Sequence, residues 1–279
     1  MSIAELLRNT PIFPLAKSVQ RRFLIAMGKQ HPIQAAKVSN KYPLIHLGTE
    51  YGGWTFVNVP ELKGSTILAA GLGEDASFDV EFATRFEASV VIVDPTPRAV
   101  EHFNGLTSRL GQGKTSEHSH GGCQPIESYD LSRLRPEQLR LEPVALWVEN
   151  TTVKFYEPKN KRHVSHSITN YQHDFSEDTD FKEVPACTVA SVLEKHSIDP
   201  ASLQLVKLDI EGAEIEVVKH MVAENILPRQ LLLEFDELNV LSEKSVARVD
   251  QTHKLLLQKG YELIYTDGKA DFLYVRDMQ

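Results

Sequence analysis

The chain has 279 residues, 42% hydrophobic and 24% charged, a mix that buries a sizeable core in one α/β domain, with or without an attached arm. Its formal net charge of -8 repels polyphosphate, which argues against nucleic acid as a partner; the small basic cluster Lys159, Lys161 and Arg162 reads as a solvated loop. No apolar run nears the roughly twenty residues that cross a bilayer, the apolar start is interrupted at Glu5, and two cysteines imply no disulfide framework, so a cytoplasmic protein is expected.

Residues 1–46 predict an N-terminal helical arm broken by Pro11, Pro14, Pro32 and Pro43. Leu15, Val19, Phe23 and Ala26 recur at helical spacing, which favours a helix packed across the main domain over a membrane-surface or partner helix. The main domain is expected over 47–279. Gly52-Gly53, between residues with strand preference, predicts a hairpin whose Trp54 either packs in the core or faces a ligand pocket. Ser65 to Ala70 reads as a buried strand, Gly71-Leu72-Gly73 as a tight turn, and Glu74-Asp75-Ala76-Ser77 as the start of a helix running to about 88. Ser89 to Val93 is a second strand ending in Asp94. An acid about twenty residues past such a turn is where a nucleoside-binding fold holds a ribose diol.

Pro95 and Pro97 open a helix carrying Ala99, Val100 and Phe103. Residues 104–130, rich in Gly, Ser and His, predict a mobile flap. His118, His120 and Cys123 in it lack the spacing of a metal site, and no metal is expected. Leu139 to Val148 predicts a third strand, 149–152 a turn, and Val153 to Tyr156 a return strand. Glu157 to Glu183 reads as a polar excursion, and Thr188 begins a helix with Val189, Val192 and Leu193 on one face. Leu203 to Ile210, including Asp209, is the fourth strand, with a helix from Glu211 or Gly212 to about Glu224. Leu231 to Phe235 is the fifth. Val246 to Lys259 is a helix closed by Gly260, and the last two strands, Tyr261–Tyr265 and Phe272–Val275, turn at Asp267-Gly268.

This alternation implies an α/β fold: a mostly parallel sheet of seven strands with an antiparallel terminal hairpin and helices on both faces, the Rossmann-like class I methyltransferase arrangement. Ligands of such sheets lie beyond the carboxyl ends of the strands, where Gly71, Gly73, Asp94, Asp209 and Glu234 fall.

Leu205-Val206-Lys207-Leu208-Asp209-Ile210-Glu211-Gly212-Ala213-Glu214 resembles the signature of the FkbM family of S-adenosylmethionine-dependent methyltransferases. Gly52-Gly53-Trp54, the block Gly71 to Asp79, Val93 to Pro97, and Val184-Pro185 with Thr188 resemble further parts of the family pattern, over roughly residues 46–240. The resemblance implies S-adenosylmethionine as cofactor and methylation of a hydroxyl, often on a sugar, glycan or glycosylated metabolite. It implies cofactor contacts at Gly71, Gly73, Glu74, Asp75, Asp94 and Asp209. Many relatives carry an acid where Ala69 stands, so Glu74 or Asp75 takes over the contact with the cofactor's amino-acid end. Asp209 is the first candidate for the base, followed by His163 and His166; Ser165, Ser167, Trp54, Glu211 and Glu234 are candidates for the acceptor side. Lys207 reads as the partner of a nearby acid. Two rival readings are an NAD-dependent oxidoreductase and a non-catalytic interaction protein of the same fold. Against the first, Glu74-Asp75 would set two acids beside a pyrophosphate. Against the second, Asp94, Asp209 and Glu211 are all retained.

Overall fold

The protein is described by a computed structural model that covers residues 30–156, 168, 180–239 and 241–277. Its main sheet has seven strands: β3 (Thr66–Ala70), β4 (Ser89–Val93), β5 (Leu139–Glu142), β9 (Leu205–Leu208), β10 (Gln230–Glu234), β11 (Glu262–Thr266) and β12 (Asp271–Val275). The spatial order is β11-β12-β10-β9-β3-β4-β5, parallel except for β12, which runs antiparallel to both its neighbours. The chain leaves β3 toward β4 on one side and returns to β9 on the other, so the order reverses between β3 and β9. A crevice opens at such a reversal because the connections from neighbouring strands depart to opposite faces.

The helices are α1 (Ser77–Phe86), α2 (Pro97–Ser108), α3 (Val189–Lys195), α4 (Glu214–Ala223) and α5 (Glu243–Gln258). Strand alternation sends Ile67, Ala69, Val90 and Ile92 to one face and Leu68, Ala70, Val91 and Val93 to the other. The first face packs α1 and α2, with Phe78, Phe82 and Phe86 repeating at four-residue spacing against Phe56. The second packs α3, α4 and α5 through Val192, Ile215, Met221, Val249 and Leu256.

A hairpin of β1 (Leu44–Leu47) and β2 (Trp54–Val57) covers the first face. One side chain joins it to the sheet: buried Gln230 accepts from Val57 N at 2.8 Å and donates to Val57 O at 3.0 Å. Gln230→Ala would leave both backbone groups buried and unpaired. The expected result is a loss of about 2–4 kcal/mol in urea unfolding; a change inside experimental error would contradict the joining role.

Three expectations need correction. The strand expected over Leu139 to Val148 is split. Pro143, with no N–H to donate, ends β5, and β6 (Ala145–Leu146) joins a separate sheet with β7 (Thr151–Tyr156) and β8 (Phe181–Cys187) in the order β6-β8-β7. The return strand β7 therefore pairs with β8 and not with β5, and residues 181–183, expected within a polar loop, belong to a strand. The 104–130 region holds the last turns of α2 and a loop pinned by hydrogen bonds, among them Gly111 N to Leu131 O and Thr115 N to Glu127 O. Most of the expected N-terminal arm lies outside the described residues. From residue 30 the chain is a single 3-10 turn (Pro32–Ala35), extended backbone and then β1. Buried His31 meets Asp250 on α5 at 3.2 Å, and Gln34 donates to Lys269 O at 2.7 Å.

Candidate active site

A cavity of about 520 Å³ opens over the β3–β9 crevice. Its first wall is the glycine turn. Gly71 has φ +87, and a Cβ there would lie 1.8 Å from Asp209 O, so only glycine lets β3 and the end of β9 approach this closely. Gly73 has φ +54, and a Cβ there would meet nothing within 4 Å.

Asp94 ends β4 and is almost fully buried. One carboxylate oxygen accepts from Leu72 N and Gly73 N, both at 2.9 Å; the other accepts from Thr96 N and Thr96 Oγ1 at 2.8 and 2.7 Å. The residue expected at a ribose diol thus braces the glycine turn and the entry to α2. Glu74 is ion-paired with Arg98. Asp75 accepts from Thr49 Oγ1 at 2.6 Å, Ser77 N at 3.0 Å and Gln124 Nε2 at 3.2 Å, tying the β1–β2 loop and the 119–124 loop to the start of α1. Both line the cavity, with their charges already engaged.

Asp209 and Glu234 both line the cavity. Burial pushes the Glu234 carboxyl well above the usual carboxylate range, and the charge of Asp209 pushes it further, as do Asp236 and Asp271. Burial, then Asp267 and Asp209, raise Asp271 to about 7.

The turn after β9 is held in an uncommon shape. Glu211 has φ +57 without being glycine, followed by Gly212 at φ +94. Fully buried Glu214 fixes it, accepting from Ile210 N at 2.6 Å and Gly212 N at 2.8 Å. Its location accounts for Glu214 as a support of the turn, while Glu211 lines the cavity. Trp54 is buried in the core, and it also forms part of the cavity wall, so the two alternatives are not exclusive. His163, His166, Ser165 and Ser167 lie outside the described residues.

Sequence reasoning passed over Asp236, Asp271 and Tyr51, and read Lys207 only as the partner of a nearby acid. Lys207 is buried and lies in the centre of the site. Asp236 and Asp271 extend the acidic rim, and their positions just past one strand and at the start of another were the available signal. Tyr51, at the apex of the β1–β2 loop, stands over the cavity, and partial burial together with the charges of Asp209, Glu211 and Glu234 raises its phenol. A Cβ on Gly122 would come within 2.4 Å of the Tyr51 ring, so that glycine admits the ring. His118 does not gather with His120 and Cys123. It is hydrogen-bonded to Ser128 at 2.8 Å and packs edge-on against Tyr129. Among the described residues no group of three or more His, Cys, Asp and Glu side chains is arranged to hold a metal ion.

Asp79 lies behind the cavity on α1, and its Oδ1 has no hydrogen-bond partner among the described residues. Burial raises its carboxyl to about 7, opposed by Lys207. The folded chain holds this proton up to about 7, whereas the free side chain releases it near 3.8. Between those values the folded state binds more protons, so stability falls as pH rises. Asp79→Asn removes that loss. Urea unfolding at about pH 4 and about pH 8 should show the variant gaining about 4 kcal/mol on the parent across the interval. A constant difference would contradict the assignment.

Strand order, terminal hairpin and glycine turn together define a class I methyltransferase fold. Residues 61–263 match the methyltransferase FkbM domain, and the chain belongs to that family of methyltransferases. The family implies use of S-adenosylmethionine. No curated protein and no solved structure gives a significant match. The residues fit this cofactor: the main chain at Gly73 is unobstructed, and the carboxylates lining the cavity suit a cation. The family match decides against a dinucleotide; the charges of the turn do not, because Arg98 balances Glu74. Among the described residues no helix is long and apolar enough to cross a membrane.

Proposed function

We propose that this methyltransferase acts on a hydroxyl of a sugar, glycan or glycosylated metabolite, and that Asp209 is the base that receives the hydroxyl proton. The observation that carries the reading is that Asp209 and Glu234 both line the cavity, with the Asp209 backbone packed against Gly71. S-adenosylmethionine, when bound, supplies a methyl carbon activated by a sulfonium. An alcohol is hardly ionised near neutral pH, so its proton must leave as the new bond to carbon forms. Asp209, 31% exposed, is placed to take it, and Glu234 lines the same cavity.

For the donor, Gly71 shapes the turn, Gly73 leaves room beside the main chain, and Asp94 fixes both through its hydrogen bonds. Glu74 and Asp75 support that turn through their own partners. Trp54, Glu211 and Glu234 belong to the acceptor side, with Leu146 and Phe155 of the small sheet as an apolar wall that excludes water. Ser165 and Ser167 are further proposed acceptor contacts, and His163 and His166 the next candidates for the base.

The test is incubation with methyl-labelled S-adenosylmethionine and fractions of glycans, lipids and small metabolites. Label in a base-stable methyl ether is the expected result. Label in an amine or an ester, or in none of the fractions, would overturn the reading.

A further inference from the structure

Among the described residues, the aromatic side chains Tyr51, Trp54 and Phe155 line the cavity. Trp54 and Phe155 are buried, whereas Tyr51 is 67% exposed. Trp54, three residues further along the chain, has the Lys207 ammonium over its ring, 5.7 Å from the centroid, and Lys207 in turn lies 3.7 Å from Asp209 Oδ2. The β1–β2 loop therefore carries Tyr51 to the β9 end of the crevice, two strands away from β4.

Hydrogen bonds on both sides of the ring hold it in place. Thr49 N donates to Ser77 Oγ at 2.8 Å, and Thr49 Oγ1 donates to Asp75 Oδ2 at 2.6 Å. The same Thr49 Oγ1 accepts from Tyr51 N at 3.2 Å and from Gly52 N at 3.0 Å. Gly52 packs on the Asp75 carboxyl group, where a Cβ would come within 2.7 Å of Cγ. Gly122 meets the Cε1, Cζ and hydroxyl end of the ring, and its loop is fastened to the same Asp75 through Gln124 Nε2 at 3.2 Å. Two loops tied to one carboxylate thus fix an aromatic ring at the cavity mouth and leave most of its surface bare. A tyrosine so placed offers a large contact with only two side-chain torsions to order.

The polar groups that share this cavity with Tyr51 include Asp209, Glu211 and Glu234 at the ends of β9 and β10, and Asp267, Lys269 and Asp271 of the β11–β12 turn. A pyranose has C–H bonds on its faces and hydroxyls around its edge. Its C–H face suits the electron-rich face of an aromatic ring, and its hydroxyls suit carboxylate acceptors. We propose that Tyr51 is a specificity-determining residue of the acceptor side: a pyranose ring of the acceptor lies with its C–H face on the Tyr51 ring and its hydroxyls toward the carboxylates. The stack orients the sugar before transfer, so that binding also aligns the reacting oxygen. The inference rests on the proposed sugar acceptor.

The test is saturation-transfer NMR on the full-length protein, with S-adenosylhomocysteine, the demethylated donor, present and a panel of methyl glucosides, galactosides, mannosides and rhamnosides as probes. At least one pyranoside should receive saturation, strongest on the C–H protons of one ring face. Tyr51→Phe should keep that binding because it keeps the ring, and Tyr51→Ala should weaken it about tenfold. Calorimetry should find the affinity of Tyr51→Ala for S-adenosylhomocysteine unchanged, which also shows that the variant is folded. Saturation of no pyranoside, or equal binding by Tyr51→Ala, overturns the proposal. So does a Tyr51→Ala variant that loses S-adenosylhomocysteine and not the pyranoside, which would seat the ring on the donor. Binding needs no methyl transfer, so the two readings fail separately. A pyranoside that binds through Tyr51 without becoming a methyl ether counts against the proposed function; a methylated sugar whose binding ignores Tyr51 counts against this inference.

Discussion

Asp209→Asn is expected to lower kcat/KM by about 10²- to 10⁴-fold, the range for loss of a positioned general base. An amide keeps the shape of the side chain but does not accept the proton. It also removes the charge 3.7 Å from Lys207 and the neighbour that raises Glu234. Glu234 then ionises more readily, so some activity should return as pH rises. Near neutral pH, before Glu234 gives up its proton, Asp209→Asn combined with Glu234→Gln should cost little more than Asp209→Asn alone, and at higher pH the double variant should lack the returning activity. Multiplicative losses, measured as kcat/KM for the single and double variants, would contradict a shared function.

Gly71→Ala is expected to destabilise the fold by more than about 4 kcal/mol, the exceptional end of single-residue effects. A methyl group there would collide with Asp209 O, a backbone atom that cannot swing away, and φ +87 is itself unfavourable for alanine. Relief requires β3 and the end of β9 to part, which breaks Asp209 N to Ala70 O and moves the base away from the glycine turn. Gly73→Ala is the matched control. With nothing within 4 Å, it pays the left-handed backbone alone, about 1 kcal/mol. Urea unfolding that finds the two variants equally stable would contradict the close approach at Gly71.

The sequence revealed what local pattern controls. The unbroken apolar runs of β3 and β4, the proline entry to α2 and the Asp267-Gly268 turn are written in neighbouring residues, and each stands where it was expected. The strand-end motif around Asp209 was legible because residue types and spacing alone define it. What escaped reading depends on partners distant in the chain. Pro143 marks a break, but nothing beside it says that β6 will seek Ala186 and Cys187. Strand β8 has a single fully buried side chain, Ala186, so it carries no alternation to betray it. The engagement of Asp94 with Leu72, Gly73 and Thr96, and of Glu74 with Arg98, follows from where the turn is folded. The same holds for Lys207: the sequence made it a partner of an acid, and only the register across three strands puts it among Gly71, Asp209 and Trp54.

The central claim is that the donor occupies the crevice between β3 and β9. Ultraviolet cross-linking with methyl-labelled S-adenosylmethionine, followed by peptide mapping, tests it directly. The account predicts label in peptides containing residues 71–75, 94–96 or 207–211, abolished by an excess of unlabelled donor. Competable label confined to peptides away from this cavity would contradict it.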